Sequence, residues 1–250
     1  MSRSPEFIRA LEHHRAQMLS RPNLEPEALS RPLLLSWIHH DNMLEGRLYR
    51  PNEIAQALRD DDDALDPYLR PLMKSIRRYR NAIFFIWCAA HQGRSAVSLE
   101  NLKIIHKMIT PNPRDRGGLY RQTSPVHRDY FQDICPADKV PYNLKKLFET
   151  IEDECDSACN PLAFAALIHH RLMYAYPFRR NPGTCARLFT NLVLLSRGYP
   201  PAIIPSHRRD AYYHALNRPE HEQLVGIFGE AVETLLEEAG GHLGLVGSQT

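Results

Sequence analysis

Apolar residues recur at three- and four-residue steps along most of this chain, broken by proline and glycine, and that periodicity admits packed helices and little else. The longest run starts near Asp66 and carries Leu69, Leu72, Met73, Ile76, Tyr79, Ile83, Phe84, Ile86 and Trp87, with Gly93 as its expected stop. The same spacing predicts helices from Ser4 to Ser20, from Arg31 to Asn42, from Pro51 through Leu58 and from Ser98 through Met108. Further helices are predicted over 141–155, Leu162 to Met173, Arg187 to Ser196, Tyr212 to Leu216 and Leu224 to Leu236. Pro22 with Pro26, Glu45-Gly46, Pro111-Asn112-Pro113 and Gly198-Tyr199-Pro200-Pro201 mark ends, because proline brings no N–H and restricts the residue before it. Only the stretch after Gly117-Gly118, from Tyr120 to Tyr130, reads as an extended hairpin or loop. The expected class is therefore all-α with one small β-hairpin flap.

Composition narrows the function classes. With 43% hydrophobic and 24% charged residues over 250 positions, the chain can bury a sizeable core and is not disordered. The 31 Lys+Arg against 29 Asp+Glu leave +2, no global field for nucleic acid, so any anion site has to be local. No apolar run approaches the roughly 20 residues that cross a bilayer, and the first residues lack the apolar core of a signal peptide, so a cytoplasmic protein without a membrane partner is expected. Cys88, Cys135, Cys155, Cys159 and Cys185 form no CxxC pair and read as buried thiols. Asp60 to Asp63 reads as a solvated acidic turn, and the tail 239–250 as disordered. The expected organisation is N-terminal helices over 1–65 and a core over 66–238.

The informative segment is Tyr176-Pro177-Phe178-Arg179-Arg180-Asn181-Pro182-Gly183-Thr184-Cys185-Ala186-Arg187, a turn between two apolar helical patterns. A turn that delivers the chain into a helix gathers unpaired N–H groups and the positive end of the helix dipole, which favours a phosphate or another anion. The bland alternative is a connection whose arginines face water. These residues alone leave the two readings level.

The segment resembles the Fic-domain signature, HPFxxGNGRxxR, and the flanks are similar too: NLKIIHKMIT, GGLYRQTSPV, KVPYNLKKLFETIED and RRDAYYHALN match the family's surroundings of that motif. SWIHHDNMLEGRLYRPNEI is similar to the inhibitory helix that many Fic proteins place before the core, with Glu45 as its glutamate and Asp41 where Ser or Thr usually stands. The resemblance covers roughly 31–217. It implies a Fic-fold helical bundle with a flap and an N-terminal inhibitory-type helix. It also implies a family activity of AMP transfer from ATP to protein hydroxyls.

Position by position, the resemblance puts the general base on Tyr176, the magnesium ligand on Arg180 and the first phosphate-clamping arginine on Thr184. A tyrosine with an unperturbed pKa of about 10 is roughly one part in a thousand ionised at neutral pH. Arginine repels a cation, so the motif is not expected to bind magnesium and no metal site is expected. Asn181-Pro182-Gly183 replaces Gly-Asn-Gly, and Pro182 removes one N–H from the nest. Arg179, Asn181, Gly183 and Arg187 remain as the expected anion- or nucleotide-binding set, with ATP or another phosphate-containing ligand as the implied cofactor. A charge-assisted Glu45–Arg187 pair is expected, as a lock on the site or as a tie between helices. His127, His39-His40 and His169-His170 are candidate bases by proximity to the matched segments, with surface or capping roles as the alternative.

The resulting expectation is a divergent Fic protein whose ordinary adenylyltransferase activity is lost or altered while an anion pocket persists. A catalytically silent protein-interaction module and an enzyme recruited to small-molecule biosynthetic chemistry stand as alternatives. The target, a protein or a small molecule, and the oligomeric state, a homo-oligomer included, are open from sequence.

Overall fold

The computed structural model describes residues 29–59, 68–125, 133–154 and 160–238, together with isolated positions before 29. The expected flap beyond residue 125, His127, the acidic turn at Asp60 to Asp63, Cys155, Cys159, the tail and most of the first expected helix lie outside these residues. The described part is helical: α1 (Arg31–Leu44), α2 (Pro51–Ala57), α3 (Arg70–Ala89), α4 (Leu99–Ile109), α5 (Val140–Glu154), α6 (Pro161–Ala175), α7 (Pro182–Ser196), α8 (Arg209–Leu216) and α9 (Glu222–Glu238). Among the described residues there is no strand, and the part of the expected hairpin that is described, 120–125, runs as turns and irregular chain.

Helix starts follow local chemistry. The Ser30 hydroxyl accepts from Leu33 N, that of Ser98 from Asn101 N, and Asn160 Oδ1 from Leu162 N at 3.0 Å. Each satisfies an N–H that the first turn leaves orphaned. α3 ends at Ala89, four residues before the expected stop. A 3-10 segment, Ala90–Ala96, follows, and Gly93 sits inside it at φ 58. α7 starts five residues earlier than expected: Pro182 occupies its first turn, where a missing N–H costs nothing, so Gly183 to Arg187 are helical rather than loop.

That helix is the axis of the molecule. Every residue of α7 from Pro182 to Leu195 is buried, as an all-round apolar helix requires, and α3, α4, α6 and the 3-10 segment pack around it. α9 covers the far side of α6, and α2 packs on α3. The polar residues of α7 are each satisfied from inside. Thr190 donates to Ala186 O, Asn191 Oδ1 accepts from Ala202 N at 2.8 Å, and Arg187 is met by α1. Cys135 and Cys185 are buried as expected, whereas Cys88 is exposed on the outward side of α3. No helix among the described residues is long and apolar enough to cross a membrane.

Candidate functional site

The turn between α6 and α7 is held in an unusual backbone shape. Tyr176 ends α6 in the left-handed region at φ 43, and Asn181 opens α7 in the same region at φ 50. Non-glycine residues seldom adopt this conformation, so something nearby has to hold it. Three contacts do.

The first is Arg121, a buried guanidinium whose Nε donates to Tyr176 O at 2.7 Å and whose Nη2 donates to Cys135 O and Ala175 O. The backbone N–H of Arg121 donates to Pro177 O at 2.8 Å, so one residue fastens both strands of chain to the C-terminal end of α6. Carbonyls at a helix C-terminus carry partial negative charge, which suits a cation there.

The second is His106 on α4. It is fully buried and stacks on Phe178 with centroids 3.8 Å apart. Gly118 N donates to its Nδ1 at 2.8 Å, so Nε2 carries the proton and donates to Arg180 O at 2.8 Å. Burial lowers its pKa to about 4. His106 is thus a neutral bridge from the 117–118 turn to the motif turn. Gly117 has to be glycine here, because a Cβ would come within 2.6 Å of Thr110 O.

The third is Asn181, whose side-chain amide donates to Ile109 O at 3.1 Å and Thr110 Oγ1 at 2.9 Å while its oxygen accepts from Arg47 Nη2. The segment just after α1 therefore reaches the turn directly.

Below the turn lies the charged centre. Arg187 is 5% exposed and donates from Nε to Asp41 Oδ1 and from Nη2 to Glu45 Oε1 at 2.6 Å. The expected Glu45–Arg187 contact is formed, and Asp41, one turn earlier on α1, is a second carboxylate partner. The paired carboxylates hold the guanidinium charged, and its pKa lies far above the ordinary value despite burial. Gly183 makes this possible: a Cβ on it would run into Glu45 Oε1, so the carboxylate rests against the first turn of α7. The buried Tyr79 hydroxyl lies beside Asp41 but outside bonding geometry, and burial with that carboxylate raises its pKa strongly.

Behind Arg187 runs a chain of neutral groups. Arg187 Nη1 donates to the Tyr212 hydroxyl, which donates to His169 Nε2 at 2.8 Å, and His169 Nδ1–H donates to Thr190 Oγ1 at 2.9 Å. Burial and the neighbouring arginine push the His169 pKa down to about 3. His169 is thus engaged deep in the core, and its neighbour His170 faces out to Arg218 O. His40 accepts from Ser206 N.

The remaining motif positions divide. Thr184 is buried beside Arg187, 3.5 Å from Nη2, and is too short to clamp anything beyond it. Arg179 and Arg180 are exposed on the outer side of the turn, and Arg180 Nε pairs with Asp115 at 3.4 Å. The expected anion set is thus split between an inner group, Gly183 and Arg187, and an outer one. Sequence reasoning missed His106, Arg121 and Arg47, and it named Asp41 in the inhibitory-type pattern without its role as a second carboxylate on Arg187.

Residues 96–194 match the Fic/DOC family. The protein adenylyltransferase fic-1 of Caenorhabditis elegans is 28% identical over 153 residues, 58% of this chain and 30% of that protein. The protein adenylyltransferase Fic of Nematostella vectensis is 24% identical over 223 residues, 86% of this chain and 51% of its own length. The chain thus spans about half or less of these curated relatives. In three dimensions the described fold is similar to Fic-1 from C. elegans, with TM-score 0.72 at 20% identity over 94% of this chain and 71% of that one. It is likewise similar to a Fic domain containing signaling protein from Bacteroides thetaiotaomicron VPI-5482, with TM-score 0.71 at 18% identity over 94% of this chain and 97% of that one.

Proposed function

Since the chain belongs to the Fic/DOC family through residues 96–194, we propose that it is a divergent member in which AMP transfer to protein hydroxyls is lost or altered while the anion pocket at the start of α7 persists under an inhibitory-type helix, α1. The observation that carries this is the seating of Glu45 Oε1 on both Gly183 and Arg187. A carboxylate there takes the place that a phosphate oxygen would need, against the first turn of a helix and on a planar guanidinium suited to bidentate anions. α1 then acts as a plug whose removal frees the pocket.

The residues do not fit magnesium at the motif turn. Position 180 carries a guanidinium, and the acid beside it, Asp115, is already paired with that guanidinium. No step is therefore routed through a metal. Charge on a bound phosphate would be met by Arg187 and the α7 dipole, with Thr184 as a hydrogen-bond partner. Tyr176 supplies a hydroxyl beside this turn, a hydrogen-bonding group and a poor proton acceptor at neutral pH.

The test is transfer of label from ATP carrying a labelled α-phosphate, read by autoradiography after incubation with a cell lysate. The wild-type chain and Glu45→Gly should transfer little or nothing. Tyr176→His with Arg180→Asp and Thr184→Arg, in the Glu45→Gly background and with magnesium, should create labelled protein. Strong transfer by the unmodified chain would overturn the claim of lost or altered chemistry. Failure of the combined variant to label any protein, while it remains folded, would count against a persistent pocket.

A further inference from the structure

On the outer side of the motif turn the surface carries two adjoining hollows of about 310 and 480 Å3. They share Arg116, Leu119, Tyr120, Arg121 and Gln122, so they form one trough. One end is bounded by Arg114 and Arg179, the other by Ala137, Asp138 and Pro141 at the start of α5.

The charges of this trough are unbalanced in a specific way. Its two carboxylates already have basic partners that do not line it: Asp115 pairs with Arg180 at 3.4 Å and Asp138 with Lys139 at 3.8 Å. Among the described residues its arginines do not have acidic partners. Among the described residues the Arg114 and Arg179 guanidinium groups meet no carboxylate, Arg116 Nη1 reaches only Gln122 Oε1 at 3.3 Å, and Arg121 is bound by carbonyls. A net charge of +2 for the whole chain makes this a local concentration rather than a share of a basic surface. The floor adds an apolar foothold, since Leu119 is 60% exposed and Tyr120 lines both hollows.

The trough is also preformed. The Arg121 backbone is tied to Pro177 O, and Gly118 N to His106 Nδ1, so its floor moves with the motif turn and needs little ordering on binding.

We propose that this trough docks an acidic segment of a partner protein, whose carboxylates pair with Arg114, Arg116 and Arg179 and whose adjacent apolar side chain lies on Leu119 and Tyr120. Charge complementarity of this kind sets which partner is accepted and how fast it arrives. Docking of this kind does not require that AMP transfer survives.

The probe is a fluorescein-labelled peptide of alternating Glu and Leu, followed by fluorescence anisotropy with the full chain, beside its Gln-and-Leu counterpart. The Glu peptide should bind, the Gln peptide at least about tenfold more weakly, and added salt should weaken the former. Arg179→Glu and Arg114→Glu, both exposed and outside the core, should each weaken the Glu peptide by about tenfold or more at an unchanged Tm. Equal binding of the two peptides, or indifference to both substitutions, would overturn the proposal. So would tighter binding of a single-stranded oligonucleotide than of the Glu peptide at the same site. Titration with ATP reads the Arg187 pocket separately, so failure here leaves the proposed function standing, and failure there leaves this trough standing.

Discussion

At the residue scale the chain's chemistry centres on one arginine. Arg187 is almost completely buried, yet its charge is kept because two carboxylates of α1 reach it. Removing one partner of such a group is costly because the remaining charge cannot return to water. Glu45→Gly leaves Asp41 in place and should therefore cost less than full loss of a buried pair, about 1–3 kcal/mol in urea melts. Gly183→Ala puts a methyl group against Glu45 Oε1 and should cost about 1–2 kcal/mol in the wild-type background. Its cost should largely vanish in Glu45→Gly, because the clashing oxygen is gone. Strict additivity of the two substitutions would show that Glu45 does not rest on Gly183 in solution.

At the element scale the motif turn is held between α4, the segment after α1 and the 117–123 segment, by a neutral histidine, an amide and two guanidinium groups bonded to uncharged oxygens rather than by ion pairs. This makes the arrangement acid-sensitive. His106 has a folded pKa of about 4 and His169 of about 3, both below the histidine value of 6.5. The unfolded chain binds protons that the fold refuses, so the stability these groups contribute is fully present above pH 6.5. It is lost as pH falls through that value towards 4 for His106 and further for His169. For His106 the loss amounts to about 3 kcal/mol at most. Stability of His106→Gln should be lower at neutral pH, through the disturbed bonds to Gly118 and Arg180, and should fall less steeply between pH 6.5 and 4. An acid limb identical to that of the wild type would show that His106 is not held neutral.

At the scale of the whole molecule, helices were legible because burial repeats along them. The nine described helices coincide with predicted apolar periodicity, and the differences sit at ends where local chemistry decides. Pro182 reads as a breaker, yet it opens α7, so the helix starts before the apolar pattern does. The Glu45–Arg187 contact was legible only through resemblance, since nothing in the spacing of two residues 142 apart announces it. Asp41 could have been found by helix geometry, lying four residues before Glu45 and so on the same face of α1. His106, Arg121 and Arg47 were not legible. Their partners are mostly backbone carbonyls or N–H groups brought close by packing, and these carry no side-chain signature. The trough is likewise a property of the assembled surface, made from the 113–123 segment, the motif turn and the start of α5.

In the proposed function α1 occupies an anion pocket whose receiving group is Arg187. Calorimetric titration with ATP in EDTA, on the wild type, Glu45→Gly and Arg187→Lys, tests it most directly. The expected result is little or no heat for the wild type, saturable metal-independent binding for Glu45→Gly, and loss of that binding when Arg187→Lys is added to Glu45→Gly. Absence of binding in a folded Glu45→Gly variant, or binding by the wild type as tight as by the variant, would contradict it.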